Sequence, residues 1–130
     1  MTGLIWFVQL SHYPLIARVG AAELPVWQAE NLQRTTWAVG PPMLLELATT
    51  VLLVVWRPEG VSGSLAWLGA GLLAAIWLST ALLQVPFHQA ILDGDPSAAV
   101  DRLVRSNWLR TVLWTARGAL ALALVAGRMR

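Results

Sequence analysis

The sequence predicts an all-α integral membrane protein, a four-helix bundle with short interfacial helices in its longer connections. Three observations carry that expectation. The chain of 130 residues is 57% hydrophobic and only 12% charged, about half the charged share of an ordinary soluble domain, and its mean hydropathy is +0.61. Four apolar runs alternate with charged or turn-rich segments. Within the second run stands one carboxylate, Glu46, a group that costs roughly 3 kcal/mol at the centre of a span and therefore turns towards partners inside a bundle.

Composition also excludes function classes. Cysteine is absent, which removes disulfides and thiolate metal sites. All nine basic residues are arginine, and a net charge of +2 is too small and too scattered for a nucleic-acid surface. The chain reads as one domain, 1–130, with spans at about 3–19, 40–56, 65–90 and 107–127.

The first span, GLIWFVQLSHYPLIARV, has Trp6 near one interface and Arg18 able to snorkel to the other. Its polar interruptions, and the lack of a basic residue before it, favour a span over a cleaved signal. Pro14 cannot donate to the helical ladder and crowds the Leu10 carbonyl, so a bend is expected there. Gln9 and His12 share a face.

The segment AAELPVWQAENLQRTTW is too charged to span, and Leu24, Trp27, Leu32 and Trp37 give it an apolar side, so it reads as an interfacial helix. Gly40-Pro41-Pro42 opens the second span, where missing amide protons cost little. Thr49 and Thr50 continue the face of Glu46.

Arg57-Pro58-Glu59-Gly60 and Ser62-Gly63-Ser64 form a turn-rich connection, which makes the second and third spans antiparallel neighbours. No charge occurs from Val61 to Leu92. Gly69 and Gly71 permit close helix contact. Trp77, Thr80, Gln84 and His88 then recur at helical spacing, and Pro86 frees the carbonyl of Leu82. Asp95 is an N-cap candidate with Pro96 at the first helical position. A short amphipathic stretch with Asp101, Arg102 and Arg105 on its polar side leads into the last span, where Asn107, Arg110, Trp114 and Arg117 line one face.

In an antiparallel bundle His12, Glu46, Gln84, His88, Asn107 and Arg110 fall within roughly 10 Å of depth and are expected to share a pocket. Arg110 or Arg117 is the natural counter-ion of Glu46. The pocket has three readings. As an internal network it fixes helix packing. As a catalytic site it has His12, Glu46, His88 and Arg110 as reacting groups, with Gln9, Tyr13, Arg34, Thr80, Gln84, Asn107, Trp114 and Arg117 as substrate contacts. As a metal or haem site its candidate ligands are His12, Glu46 and His88, a two-histidine-one-carboxylate set. Arginine count points the face with the longer connections to the cytoplasm.

The stretches HYPLIARVG, RTTWAVGPPMLLEL and RSNWLRTVLWTARG resemble the small four-span bacterial membrane proteins of unknown function related to anthrone oxygenases. The resemblance implies a helical membrane domain that acts with molecular oxygen on hydrophobic, often aromatic, substrates. His12, Arg34, Glu46, Asn107 and Arg110 lie in the matching stretches. The expectation is thus a multi-pass protein of the cell membrane with a lipid-accessible pocket, an oxidoreductase acting on an aromatic or lipid-like molecule. Two alternatives stand beside it: a small transporter or channel working as a homo-oligomer, and a non-catalytic accessory membrane subunit.

Overall fold

The computed structural model describes residues 1–93 and 96–128, and its regular elements are all helical. Helix α1 comprises Thr2–Phe7, a π-helical turn Val8–His12 and Tyr13–Ile16. Helix α2 is Leu24–Val55. Helix α3 is Gly63–Leu92 with a π turn at Thr80–Gln84, and α4 is Pro96–Arg128. The Asp95 cap expected before α4 lies outside the described residues.

Chain direction alternates. Gln9 Nε2 donates to Val104 O and Thr2 Oγ1 to Trp114 O, which sets α1 antiparallel to α4. Gln84 meets Ser106 while Gly69 meets Arg117, so α3 and α4 are antiparallel too. Helix α4 packs against both α1 and α3, and α2 packs against α3. The remaining side, between α1 and α2, is left open.

Three helices, α2, α3 and α4, are long and apolar enough to cross a membrane. Helix α1 differs. Residues 2–16 reach ~22 Å at 1.5 Å per residue, short of a hydrocarbon core of about 30 Å. The four similar spans expected from the sequence are three long helices and one shorter one lying beside part of α4.

The separate interfacial helices are also corrected. Residues 24–38 run without a break into the second span, and residues 96–106 into the last. Pro41 and Pro42 fail to end α2 because the carbonyls they leave unbonded are those of Trp37 and Ala38, on the exposed side where outside groups can solvate them. The inward face of α2 is continuous through them. Leu24, Gln28, Asn31, Thr35, Val39, Met43, Glu46 and Thr50 recur at three or four residues, and each is buried or half-buried. The extra length of α2 and α4 projects at one end, where exposed pairs Glu30–Arg34 and Asp101–Arg105 close at 2.5 and 3.0 Å.

An apolar core that includes Ile16, Ile76, Ile91 and Leu103 is interleaved with polar groups, and the exterior is unlike that of a soluble bundle. Gln9, Gln28, Gln84, Asn107, Arg110 and Thr111 are buried, while Leu45, Val51, Leu52, Leu78, Leu82 and Val112 are exposed. Polar groups inside and aliphatic groups outside suit hydrocarbon as the solvent. Glycine supports this close packing at two points. At Gly69 the Arg117 guanidinium reaches the backbone, and a Cβ on Gly118 would lie 2.5 Å from Thr2 Oγ1. Gly71, expected to share that role, is exposed with nothing beside it.

Both π turns stand just before a proline, Val8–His12 before Pro14 and Thr80–Gln84 before Pro86. Each closes an amide onto a carbonyl five residues back, Tyr13 to Val8 and Val85 to Thr80. The added residue per turn changes which side chains face inward. Ser79 and Gln84, five apart, lie on one side, and Ser79 Oγ donates to Gln84 Oε1 at 3.3 Å.

Candidate functional site

The polar residues expected to form one pocket divide into three groups at different levels along the helices. One surrounds Glu46. Arg117 Nε donates to Glu46 Oε2 at 2.9 Å, Nη1 to Gly69 O at 2.5 Å, and Nη2 to Thr50 Oγ1. The Met1 amino group lies 3.6 Å from Glu46 Oε1. Of the two expected counter-ions, Arg117 is the one that meets Glu46. Three helices are tied at this point, and the arginine has little freedom to contact a substrate.

The second group joins α1 to α4. Asn107 Nδ2 donates to Gln9 Oε1 at 2.9 Å, Thr111 Oγ1 to the same oxygen at 3.4 Å, and Arg110 Nη1 to Asn107 Oδ1 at 3.2 Å. Gln84 reaches across from α3 to Ser106 Oγ at 3.2 Å. Arg110 is 5% exposed, and among the described residues no carboxylate pairs with it and its Nε has no hydrogen-bond partner. That contrasts with Arg117, whose charge is neutralised.

The third group is a chain of side chains linking α1, α3 and α2. Tyr13 Oη lies 3.3 Å from His88 Nε2, and Gln28 Nε2 lies 2.6 Å from His88 Nδ1. Asn31 donates to Gln28 Oε1 at 3.4 Å, and Thr35 to Asn31 Oδ1 at 3.2 Å. The Gln28 amide, with Oε1 accepting from Asn31, is placed with its NH₂ towards His88. A neutral imidazole that accepts at Nδ1 must carry its proton at Nε2. The proton therefore points at Tyr13 Oη and leaves the phenolic O–H free to donate elsewhere.

These groups meet a cleft of about 360 Å³ between α1 and α2. Its walls include Leu4 and Val8 from α1 and Val39 and Met43 from α2; Thr80, Gln84, His88 and Arg110 form its floor, with Tyr13 at one side. Two larger hollows carry little chemistry. One of about 400 Å³ between α2 and α3 is lined by aliphatic side chains, two tryptophans and Thr50, and one of about 530 Å³ at the α1–α2 turn has Asp101 as its one ionisable lining residue.

Several sequence-derived candidates lie elsewhere. Arg34 is exposed and bound to Glu30. Trp114 is 1% exposed in the core, away from the cleft. His12 stacks at 6.3 Å from Trp27 with its Nε2 buried and without a partner. Of the candidate metal ligands, Glu46 is engaged by Arg117 and His88 by Tyr13 and Gln28, and among the described residues no three His, Asp or Glu side chains converge. Sequence reading missed Gln28, Asn31, Ser79, Ser106 and Thr111. Gln28, Asn31 and Thr35 were visible as a polar stripe at spacings of three and four, masked by the apolar stripe beside them.

No family model, curated protein or solved structure matches this chain. No link to the anthrone-oxygenase relatives is shown by these comparisons.

Proposed function

We propose that this chain is a multi-pass protein of the cell membrane that draws a hydrophobic, aromatic or lipid-like molecule from the bilayer into the α1–α2 cleft and acts on it as an oxidoreductase. One observation carries the reading: an apolar cleft between two helices ends on polar groups, where Arg110 and the Tyr13 hydroxyl can donate to a bound molecule and His88 orients Tyr13. Apolar walls with a few convergent polar groups are the usual make-up of a small-molecule site. Donors held in a desolvated site polarise an oxygen on the bound molecule and stabilise negative charge that develops there. A phenol or enolisable ketone hydrogen-bonded in this way is more acidic, and molecular oxygen is the oxidant that the resemblance implies. Gln28 acts at one remove, since its amide sets which nitrogen of His88 holds the proton.

A channel finds less support. Beyond Thr49, Thr50 and Arg117 the opposite half, around Leu53 and Leu124, offers aliphatic lining, and Arg117 there is held by Glu46. The test is oxygen uptake by the purified protein in lipid nanodiscs with a tricyclic anthrone and with a long-chain hydroquinone. Turnover of either, falling tenfold or more in Tyr13→Phe, is the expected result. No uptake with both substrate classes overturns the oxidoreductase reading.

A further inference from the structure

The two interior arginines differ in a way that packing alone leaves unexplained. Arg117 has a carboxylate, a backbone carbonyl and a hydroxyl around it. Arg110 is more deeply buried and has an amide oxygen and the Tyr13 hydroxyl beside it, both uncharged. A guanidinium keeps its charge at any accessible pH, and a charge buried without an opposite partner is among the costliest arrangements in a protein interior. The cost falls when an anion enters. Arg110 lines the cleft, and the polar groups beside it there, on Tyr13, Thr80, Gln84 and His88, are uncharged or neutral in the tautomer set by Gln28. Among the described residues Arg110 is thus the one charged side chain of the cleft lining, and the Met1 amino group, also in the lining, already has Glu46 beside it.

We infer that the molecule held in the cleft is a single-chain or single-ring-system amphiphile with a carboxylate head, seated with that carboxylate on Arg110 and its apolar part between Val8, Val39 and Met43. This rests on the cleft reading above and deepens it: among hydrophobic molecules, those that also carry a carboxylate are the ones the cleft holds best. One charge balances one charge. A phosphate monoester would bring close to two negative charges, and a volume of about 360 Å³ lies at the small end of ligand sites, which leaves little room for a two-chained lipid. Guanidinium and carboxylate also match in shape, each offering a planar edge to the other.

The test is equilibrium binding of radiolabelled oleate and methyl oleate to the full chain in detergent, with phosphatidylglycerol as competitor. Oleate is expected to bind at least tenfold more tightly than methyl oleate. Arg110→Gln reduces that preference to within twofold, and Arg110→Lys retains most of it. Val39→Trp, which fills the cleft mouth without touching Arg110, abolishes binding of both probes and supplies a second readout should Arg110→Gln fail to fold. Equal binding of oleate and its ester to the native chain overturns the carboxylate assignment while leaving the cleft reading intact. A preference that survives in Arg110→Gln does the same, as does displacement of oleate by equimolar phosphatidylglycerol. Failure of both probes to bind overturns the cleft reading together with the inference.

Discussion

Replacing Glu46 isolates what holds α2, α3 and α4 together. Glu46→Gln keeps an oxygen for Arg117 Nε and removes the charge, so the loss is the difference between a charge-assisted and a neutral hydrogen bond, about 1 kcal/mol. Glu46→Leu removes the acceptor as well. It leaves Arg117 charged with only Gly69 O and Thr50 Oγ1, and stranding one member of a largely buried pair costs about 3 kcal/mol. Glu46 is 29% exposed, which keeps the figure at the lower end of that range. The double variant Glu46→Leu/Arg117→Met removes both charges and replaces them with apolar volume. It is expected within about 1 kcal/mol of the native protein, far less than the two single losses together. The assay is reversible unfolding in mixed micelles of rising sodium dodecyl sulfate content, followed by far-ultraviolet circular dichroism. Additive losses, with the double variant the least stable, would refute a direct interaction between the two side chains.

Three further outcomes follow from particular contacts. Gln28→Leu leaves His88 Nδ1 without its donor, and a stability loss of about 1–3 kcal/mol is expected in the same micelle titration; an unchanged midpoint would show that the amide does not hold the imidazole. Gly118→Val places side-chain atoms where Thr2 sits 2.5 Å from a Cβ, so α1 separates from α4 and a Thr2–Gly118 distance measured between spin labels on flanking sites lengthens. Because His12, Glu46 and His88 do not converge, the metal content of the purified protein by elemental analysis is the same in the native chain and in His12→Ala/His88→Ala; stoichiometric metal lost in the variant would contradict the side-chain arrangement described.

The helical class, the apolar exterior and the burial of Asn107, Arg110 and Trp114 on one face of α4 were legible because helical periodicity repeats over many residues. Pairing was less so. Arg110 and Arg117 are equivalent by spacing, and what separates them is depth: Arg117 lies level with Glu46 and with Gly69, whose missing side chain lets it reach a backbone carbonyl. The continuity of α2 was hidden by Pro41-Pro42, a pair that ends most helices. It survives because the unbonded carbonyls face outward and because Gln28, itself bonded by Asn31, ties the first turns of α2 to His88 of α3. The π turns were hidden for a related reason. Pro14 and Pro86 announce a local fault in the ladder, but whether it becomes a kink or an added residue depends on which side chains the neighbouring helices accept.

The central claim is that the cleft between α1 and α2 opens to lipid. The chain has no cysteine, so single nitroxide labels can be placed at Val39→Cys in the cleft, at Leu45→Cys on the exterior and at Trp114→Cys in the core without background. Their collision rates with oxygen and with a water-soluble nickel chelate are then compared in liposomes. The account predicts that the Val39→Cys label is relaxed by oxygen nearly as strongly as the exterior label and is shielded from nickel. A label at this site as protected from oxygen as the one at Trp114→Cys, or one relaxed mainly by nickel, would mean a closed or water-filled cleft and would contradict the account.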